Sequence, residues 1–525
     1  LKLTYKGAGD LPFIISFQIT HLKINNWHND SMLSATIEQI LQAMESGDAT
    51  NSNSTKSLQH LFSGILKSIE EAGFPPPKSN DDFWLWVNKI IAEIDTKITT
   101  QLNAILHHPK VIQLESTWRS LFDLVDFSLG RKNIKIRVLD INWAEITKDV
   151  NRAAEFDQSQ LFQKVYSDEF DIPGGEPYGT LIADFSVSHK PSPEHRYDDV
   201  PTVERLGEIA AASFAPLLIN AAPQLFGLDD FDQLTQPVNF HDIFQEAEYR
   251  AWNRLRTHSD ARFLGITLPR TLLRTPYTIK IDTVGGIRYE ESTAHASKNN
   301  YVWGNANFSL AKVLIREFSE VGWFSHIRGI PRDKLAGGVV PDLTVDYFST
   351  DKKPIADKPI ADIIISDNKE RELSELGFIP FCQCYDLPMG AFHTTPSLHK
   401  PKVYDDRQVT INEKVASSLQ HVLCGSRFAH YIKVMARDKI GSYVRADECA
   451  SLIQNWLNEY TVAQEDAEWQ MQAKYPLRNA KVDVKESPDK PGSYWVDINL
   501  QPHYQADSLV SELHLTTELT PPRLT

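Results

Sequence analysis

With 525 residues, the chain is longer than one ordinary core organises, and a prior of roughly 150 residues per domain gives about three or four units. Its 42% hydrophobic, 10% aromatic and 23% charged residues describe a folded protein and exclude disordered, collagen-like and coiled-coil chains. The 54 basic residues against 69 acidic ones, a formal charge of −15, exclude a nucleic acid as the main partner, because phosphate binding needs a concentrated basic surface. Four cysteines, Cys382, Cys384, Cys424 and Cys449, cannot build a disulfide framework, so a reducing compartment is expected. No run reaches the roughly 18 apolar residues of a membrane span, and no membrane insertion is expected. Leu11–Ile19 contains Ser16 and Gln18 and reads as a short strand, a cleavable signal being the alternative.

Residues 1–80 read as an appendage. Helical stretches around Ser34–Met44 and up to Ala72 flank a polar break at Gly47–Ser57, and Pro75-Pro76-Pro77 closes it as a stiff linker. A helical arm follows over 81–130. In it, Val87, Ile91, Ile94, Ile98, Leu102 and Ile105 recur at spacings of 4, 3, 4, 4 and 3, with Lys89, Glu93, Asp95 and Lys97 on other faces. Such a narrow stripe packs against a second long helix, by default within the same chain and otherwise on another protein. After the His107-His108-Pro109 break a further helix carries Leu114, Trp118, Leu121 and Val125 on one side.

Between 131 and 350, strands alternate with helices, the signature of an α/β body. Ile134, Ile136 and Val138 alternate with Lys135 and Arg137, which predicts a half-buried strand. The turn-rich Phe170–Pro177 leads into a strand over Gly179–Val187. A helix over Thr202–Ala215, a strand over Phe263–Leu268 and a helix through Leu310, Leu314 and Phe318 follow. Lys353-Pro354-Ile355-Ala356-Asp357 is repeated at once as Lys358-Pro359-Ile360-Ala361-Asp362, and this reads as an extended connector at a domain boundary. The segment 351–525 then shows helices near 369–376, 411–437 and 447–460, and a hairpin. Val482 and Val484 face one way, Ser487–Gly492 turns, and Tyr494, Val496, Ile498 and Leu500 return. A last strand carries Leu509, Leu513 and Leu515 alternating with Val510, Glu512 and His514.

Catalytic signatures are scarce. There is no phosphate loop ending in Gly-Lys-Ser/Thr, no His-Glu-x-x-His, no Gly-x-Ser-x-Gly and no Cys-x-x-Cys, which weakens an enzyme reading without excluding it. No cofactor is expected. Cys382 and Cys384 share one face of a strand and read as small buried residues, zinc being the alternative that lacks a second ligand pair. His189, His195, Asp198 and Asp199 read as a solvated loop, with metal ligation as the sharper alternative. Lys369-Glu370-Arg371-Glu372, and His430, Lys433 and Arg437 on one helix side, read as solvated faces, with a polar docking surface as the alternative.

Several strings are more specific than any pattern. Gly174-Gly175-Glu176-Pro177-Tyr178-Gly179, Arg262-Phe263-Leu264-Gly265-Ile266-Thr267-Leu268-Pro269-Arg270, Trp303-Gly304-Asn305-Ala306 and Gly337-Gly338-Val339-Val340-Pro341-Asp342-Leu343 occur in this order. Arg427-Phe428-Ala429-His430-Tyr431, Arg437-Asp438-Lys439-Ile440-Gly441-Ser442 and Gln501-Pro502-His503-Tyr504 follow them. Together they closely resemble the large subunit of the type VI secretion contractile sheath, the TssC or VipB family, over about residues 81–519. Residues 1–80 and the duplicated pentad fall outside the resemblance.

The resemblance implies a structural machine part of mixed α/β class. Its fold would comprise an N-terminal helical arm at 81–130, a central α/β body at 131–350 and a C-terminal α/β lattice domain at 351–525 that ends in β-strands. It implies a heterodimer with the small sheath subunit (TssB or VipA) and helical stacking of copies around a tube of haemolysin-coregulated protein (Hcp) on a baseplate, in the bacterial cytoplasm. It further implies contraction that drives tube and spike outward, then disassembly by the AAA+ ATPase ClpV. On this reading the stripe Val87, Ile91, Ile94, Ile98, Leu102 and Ile105 meets the small subunit. Tyr494, Val496, Ile498, Leu500, Leu509, Leu513 and Leu515 belong to strands shared between protomers, and Lys369, Arg371 and Glu372 face the tube. A cytosolic α/β enzyme and another phage-tail-like sheath protein are the alternatives.

Overall fold

The computed structural model describes residues 80–170, 172, 174–191, 196–236, 238–278, 288–291, 301–331, 334–347, 358–384, 387–439, 446–462, 469–486, 494–503 and 513–519. The chain divides into two units. One holds residues 1–100 and 285–288, of which 80–100 lie in a helix; the other holds 101–284 and 289–525.

The larger unit is organised by a parallel four-stranded sheet in the order β1-β2-β3-β7, formed by β1 (Leu181–Val187), β2 (Leu217–Ala221), β3 (Leu264–Leu268) and β7 (Phe378–Pro380). Period-two alternation sends side chains to opposite faces. Leu217, Ile219, Leu264, Ile266 and Phe378 join one core, whereas Leu218 and Ile379 join another. The helix Asp199–Ala212 and the short helix Arg250–Thr257 contribute Val203, Leu206, Trp252 and Leu255 to the first core. Ala306–Val321 and Leu419–Lys439 contribute Leu310, Leu314 and Leu423 to the second. Helices on both faces explain why β2 and β3 are buried throughout. A Cβ built on Gly265 of β3 would lie 2.9 Å from Leu218 Cδ2 and 3.0 Å from Leu419 Cδ2, so the residue keeps sheet and helix at their spacing.

Beyond it lies a third core. β10 (Leu477–Glu486), β11 (Tyr494–Pro502) and β12 (Leu513–Leu519) form an antiparallel sheet in that order, with Val482 opposite Ile498 and Ile498 opposite Leu515. Ile453 and Leu457 of the helix Ala446–Asn458, together with Phe428 and Ile432, close one face, and Trp323 stacks on Phe428 with ring centroids 4.2 Å apart. The expected hairpin is therefore present; its turn, and Leu509, lie outside the described residues.

Four sequence expectations change. Ile134–Val138 forms no strand. Its alternation comes from charge pairing: Lys135 bonds Glu176, Arg137 bonds Glu169, and Val138 is 67% exposed. The helix expected over 411–437 is two helices, Arg407–Ala416 and Leu419–Lys439, broken at Ser417-Ser418 where the Ser417 hydroxyl donates to Glu413 O at 2.7 Å. The second pentad copy is not a connector, since Ile360 and Ala361 are buried.

The fourth change concerns His430. Its ring is buried beside Phe170 and Phe214, and Nε2 lies 3.1 Å from Ser213 O. Lys433 lies over Tyr166 and Phe214. His430 is thus core and Lys433 half-buried rather than a solvated face; the side chain of Arg437 lies outside the described residues. Burial, the largest cause, pushes the His430 imidazole down to about 3 and that of His421 to about 4. Both histidines sit near 6.5 when unfolded, so the unfolded chain gains protons first as pH falls. Stability is thus full above about pH 6.5 and declines below it. Thermal denaturation from pH 8 to 4 should show a plateau and then an acid fall that is shallower in His430→Asn; equal slopes in both proteins would contradict this.

Candidate assembly surfaces

α1 (Asn80–Leu106) bears the predicted stripe. Ile91, Ile94 and Ile105 are 49%, 48% and 58% exposed, while Ile98 and Leu102 are half-buried. The side chain of Val87 lies outside the described residues.

α2 (Pro109–Ser128) starts where Pro109, lacking an N–H, occupies the first turn and His108 accepts from the Lys110 amide. One face is fastened to the body. Ser116 Oγ donates to Trp303 O at 2.7 Å, Thr117 Oγ1 donates to Asp184 Oδ2 at 2.5 Å, and Leu124 is buried. The opposite face presents Leu114, Trp118, Phe122, Val125 and Leu129, with Trp118 64% and Phe122 70% exposed. Spacings of 4, 4, 3 and 4 confine these five to an arc of about 80° on a helix of 3.6 residues per turn. Contiguous large apolar side chains at such exposure make this face a candidate docking surface. The sequence pattern found Leu114, Trp118 and Val125 but missed Phe122 and Leu129, and it included the half-buried Leu121.

A buried charge cluster underlies the start of α2. Arg274, at the end of β4 (Arg270–Arg274), donates from Nη1 to Glu291 Oε2 at 2.6 Å, from Nη2 to Glu291 Oε1 at 3.2 Å and from Nε to Glu115 Oε1 at 2.8 Å. Glu291 also accepts from the Tyr277 amide at 2.9 Å and meets His107 Nε2 at 2.9 Å. Arg119 Nε donates to the same Glu115 oxygen at 2.7 Å. Burial alone would raise the Glu291 carboxyl; the Arg274 guanidinium, the Tyr277 amide and His107 outweigh it and hold it below the usual carboxylate range. No sequence motif announces this cluster, because its members are far apart in the chain.

Other expected sites have plain placements. Asp199 is a buried strut that accepts from Trp143 Nε1 and from the Ser188 amide, each at 2.8 Å. His189 is buried and stacks on Tyr249 at 4.1 Å, and Asp198 caps the helix beginning at Asp199. The solvated-loop reading is thereby corrected for His189 and Asp199; His195 lies outside the described residues. Cys382 is buried, which pushes its thiol up to about 12, and Cys384 is half-buried. In the helix Asp367–Glu375, Lys369 Nζ donates to Leu234 O and, at 3.1 Å, to Gln236 O, whereas Arg371 is exposed and Glu372 half-buried. Within the terminal sheet, β10 and β12 are the edge strands. Val496, Ile498 and Leu500 of β11 are buried, and Tyr494, Leu513 and Leu515 are placed by register: opposite Leu519, Leu500 and Ile498 respectively. Among the described residues no group of His, Cys, Asp and Glu has metal-binding geometry, and no helix is long and apolar enough to cross a membrane.

Residues 88–399 match the family model VipB, described as EvpB/VC_A0108, tail sheath N-terminal domain, and residues 408–519 match VipB_2, the tail sheath gpW/gp25-like domain. The chain belongs to the VipB tail-sheath family. It is 37% identical over 439 residues to the type VI secretion system sheath protein TssC1 of Pseudomonas aeruginosa PAO1, an alignment that covers 82% of this chain and 86% of that protein. A chain of the cryo-EM structure of the anti-feeding prophage baseplate is 10% identical with a TM-score of 0.34, covering 72% of this VipB chain and 80% of that one. The VipB domains span both the body and the terminal sheet, so the family places the α/β chain as a sheath subunit of type VI secretion.

The glycine pair in one VipB string has a physical reason. Gly337 takes φ +66°, and a Cβ on Gly338 would lie 2.1 Å from Phe392 O. Here β6 (Val339–Val340) pairs with β9 (Gly390–Ala391), and Phe392 N donates to Gly338 O at 3.0 Å. Gly338→Ala should force these strands apart and lower the melting temperature by several degrees in thermal denaturation; an unchanged midpoint would contradict the close approach.

Proposed function

We propose that this chain is the large subunit of a contractile sheath, that it pairs with the small subunit TssB through the apolar faces of α1 and α2, and that the resulting heterodimers polymerise around an Hcp tube on a baseplate. The observation that carries this reading is the exposed row Leu114, Trp118, Phe122, Val125 and Leu129 on a helix whose other face is fixed to the body. A docking helix buries such a row, and the seam Val87–Ile105 on α1 is a second apolar row assigned to the partner.

On this reading residues 81–130 are the partner-binding arm, 131–350 the body, and 351–525 the lattice domain. Tyr494, Val496, Ile498, Leu500, Leu509, Leu513 and Leu515 contribute to a sheet completed by neighbouring protomers. The edge strand β12 supports this, since a sheet edge recruits another strand, whereas on β10 Gln454 bonds Ala480 O and Val482 N, and Val462 N bonds Leu477 O. Backbone ladders then hold neighbours together while rigid bodies rotate during contraction. Lys369, Arg371 and Glu372 are assigned to the tube side; the exposure of Arg371 supports this, whereas Lys369 is engaged with Leu234 and Gln236. The chain works without catalysis or bound cofactor in the bacterial cytoplasm, and ClpV acts on the contracted polymer.

Co-expression with TssB followed by negative-stain microscopy tests the reading: tubular particles are expected, and a monomer that neither co-purifies nor polymerises would overturn it. Truncation before Leu509 should leave co-purification intact and abolish tubes. Normal tubes from that variant would remove the shared-sheet assignment.

A further inference from the structure

The duplicated pentad is the feature that the sheath reading leaves unexplained. Its second copy, Lys358–Asp362, lies antiparallel along the edge of β4. Leu272 N donates to Ile360 O at 2.7 Å, Asp362 N donates to Arg270 O at 3.0 Å, and Thr271 pairs with Ala361. The side chains are used as fully as the backbone. Lys358 Nζ donates to Asp346 Oδ2 at 2.6 Å and to Tyr301 OH at 3.1 Å, Ile360 and Ala361 are buried, and Asp362 accepts from Arg270 Nε at 2.5 Å. The slot therefore selects Lys, Ile, Ala and Asp at fixed spacing, and Lys353, Ile355, Ala356 and Asp357 repeat that selection without a change.

Two further observations bear on whether the first copy fits. A slip by an odd number of residues normally turns every side chain to the wrong face. An exact five-residue repeat removes this penalty. In addition, Lys358 N donates to Asp346 O at 2.8 Å, so these two residues are held together. Shortened by five residues, the segment between them still leaves 347–352 to make the turn, and connections of about 4–6 residues are ordinary. The displaced copy would bulge between Asp357 and the buried Ile363, and closing that extra loop is what favours the observed register.

We infer that the slot on β4 accepts either copy, so that this segment is a strap with two registers, the first copy replacing the second by a five-residue slip. Each slip moves about 17 Å of extended chain from one side of the slot to the other, at 3.3 Å per residue. The inference does not depend on the identity of any partner.

The test compares Asp357→Ala, Asp362→Ala and the double variant in the full chain, by thermal denaturation and by amide hydrogen exchange resolved between 353–357 and 358–362. Asp357→Ala should leave the melting temperature unchanged. Asp362→Ala should lose less than half of what the double variant loses, because Asp357 takes over the ion pair with Arg270. In Asp362→Ala, slow exchange should pass from 358–362 to 353–357. Equal losses in Asp362→Ala and the double variant overturn the inference, as does protection that stays at 358–362. If the double variant does not fold, the exchange pattern of Asp362→Ala alone decides.

Discussion

Glu291→Ala is expected to cost about 3–5 kcal/mol, the range for removing one partner of a buried ion pair. Both groups are shielded: the Glu291 side chain is fully buried and that of Arg274 is 6% exposed. With Glu291 gone, Arg274 keeps the Thr275 carbonyl and one carboxylate oxygen, that of Glu115, which Arg119 already shares. The Tyr277 amide and His107 lose their acceptor as well. Arg274→Met/Glu291→Leu, which removes both charges, should recover most of the loss, because the cost arises from a stranded charge more than from the pair's net worth. Thermal or urea denaturation of the three variants measures this; a double variant as unstable as Glu291→Ala would contradict the account. The depressed carboxyl also gives a sign for pH. Stability from Glu291 is present above its unfolded value near 4.3 and is lost as pH falls through the lower folded value.

The second large effect is on assembly. Ile94→Glu/Ile98→Glu and Trp118→Glu/Phe122→Glu should each abolish co-purification with the small subunit. An apolar anchor at an interface commonly carries about 2 kcal/mol or more, roughly 30-fold in Kd, before the cost of a buried carboxylate is added. The chain itself should tolerate the α2 pair, since Trp118 and Phe122 are mostly exposed and exposed substitutions stay within about 0.5 kcal/mol. A pull-down on folded variant, with folding verified by circular dichroism, separates the two effects. Retained co-purification of the α2 variant would withdraw that helix from the interface, and retained co-purification of the α1 variant would do the same for the Val87–Ile105 seam.

Of the parallel sheet, β1 and β3 were legible, β3 because both its faces are covered and only Thr267 interrupts its apolar run; β2 and β7, short strands that carry Asn220 and Pro380, were not. The terminal hairpin was legible from alternation, because one of its faces is packed by the helix Ala446–Asn458 and residues such as Phe428. Ile134–Val138 shows the limit of that argument. Lys135 and Arg137 alternate there because they reach Glu176 and Glu169, and a charge ladder imitates a half-buried strand. His430 and Asp199 were misjudged for a related reason: polar residues read as surface unless their distant partners, Ser213 and Trp143, are known. The exposed apolar rows were half legible. Period alone located the stripes on α1 and α2, but an apolar stripe looks the same whether its own chain covers it or not.

The order β1-β2-β3-β7 bears on how the molecule comes into being. The closing strand, Phe378–Pro380, is made long after β3, so the sheet keeps an open edge at Ile266–Leu268 during much of synthesis. Such non-local pairing is intrinsically slow and leaves an edge ready to recruit foreign strands. The helices α1 and α2 leave the ribosome well before that edge is sealed. On the proposed pairing, partner capture by the emerging arm would begin on an unfinished body, and the supply of partner during translation would govern yield as much as the stability of the finished chain.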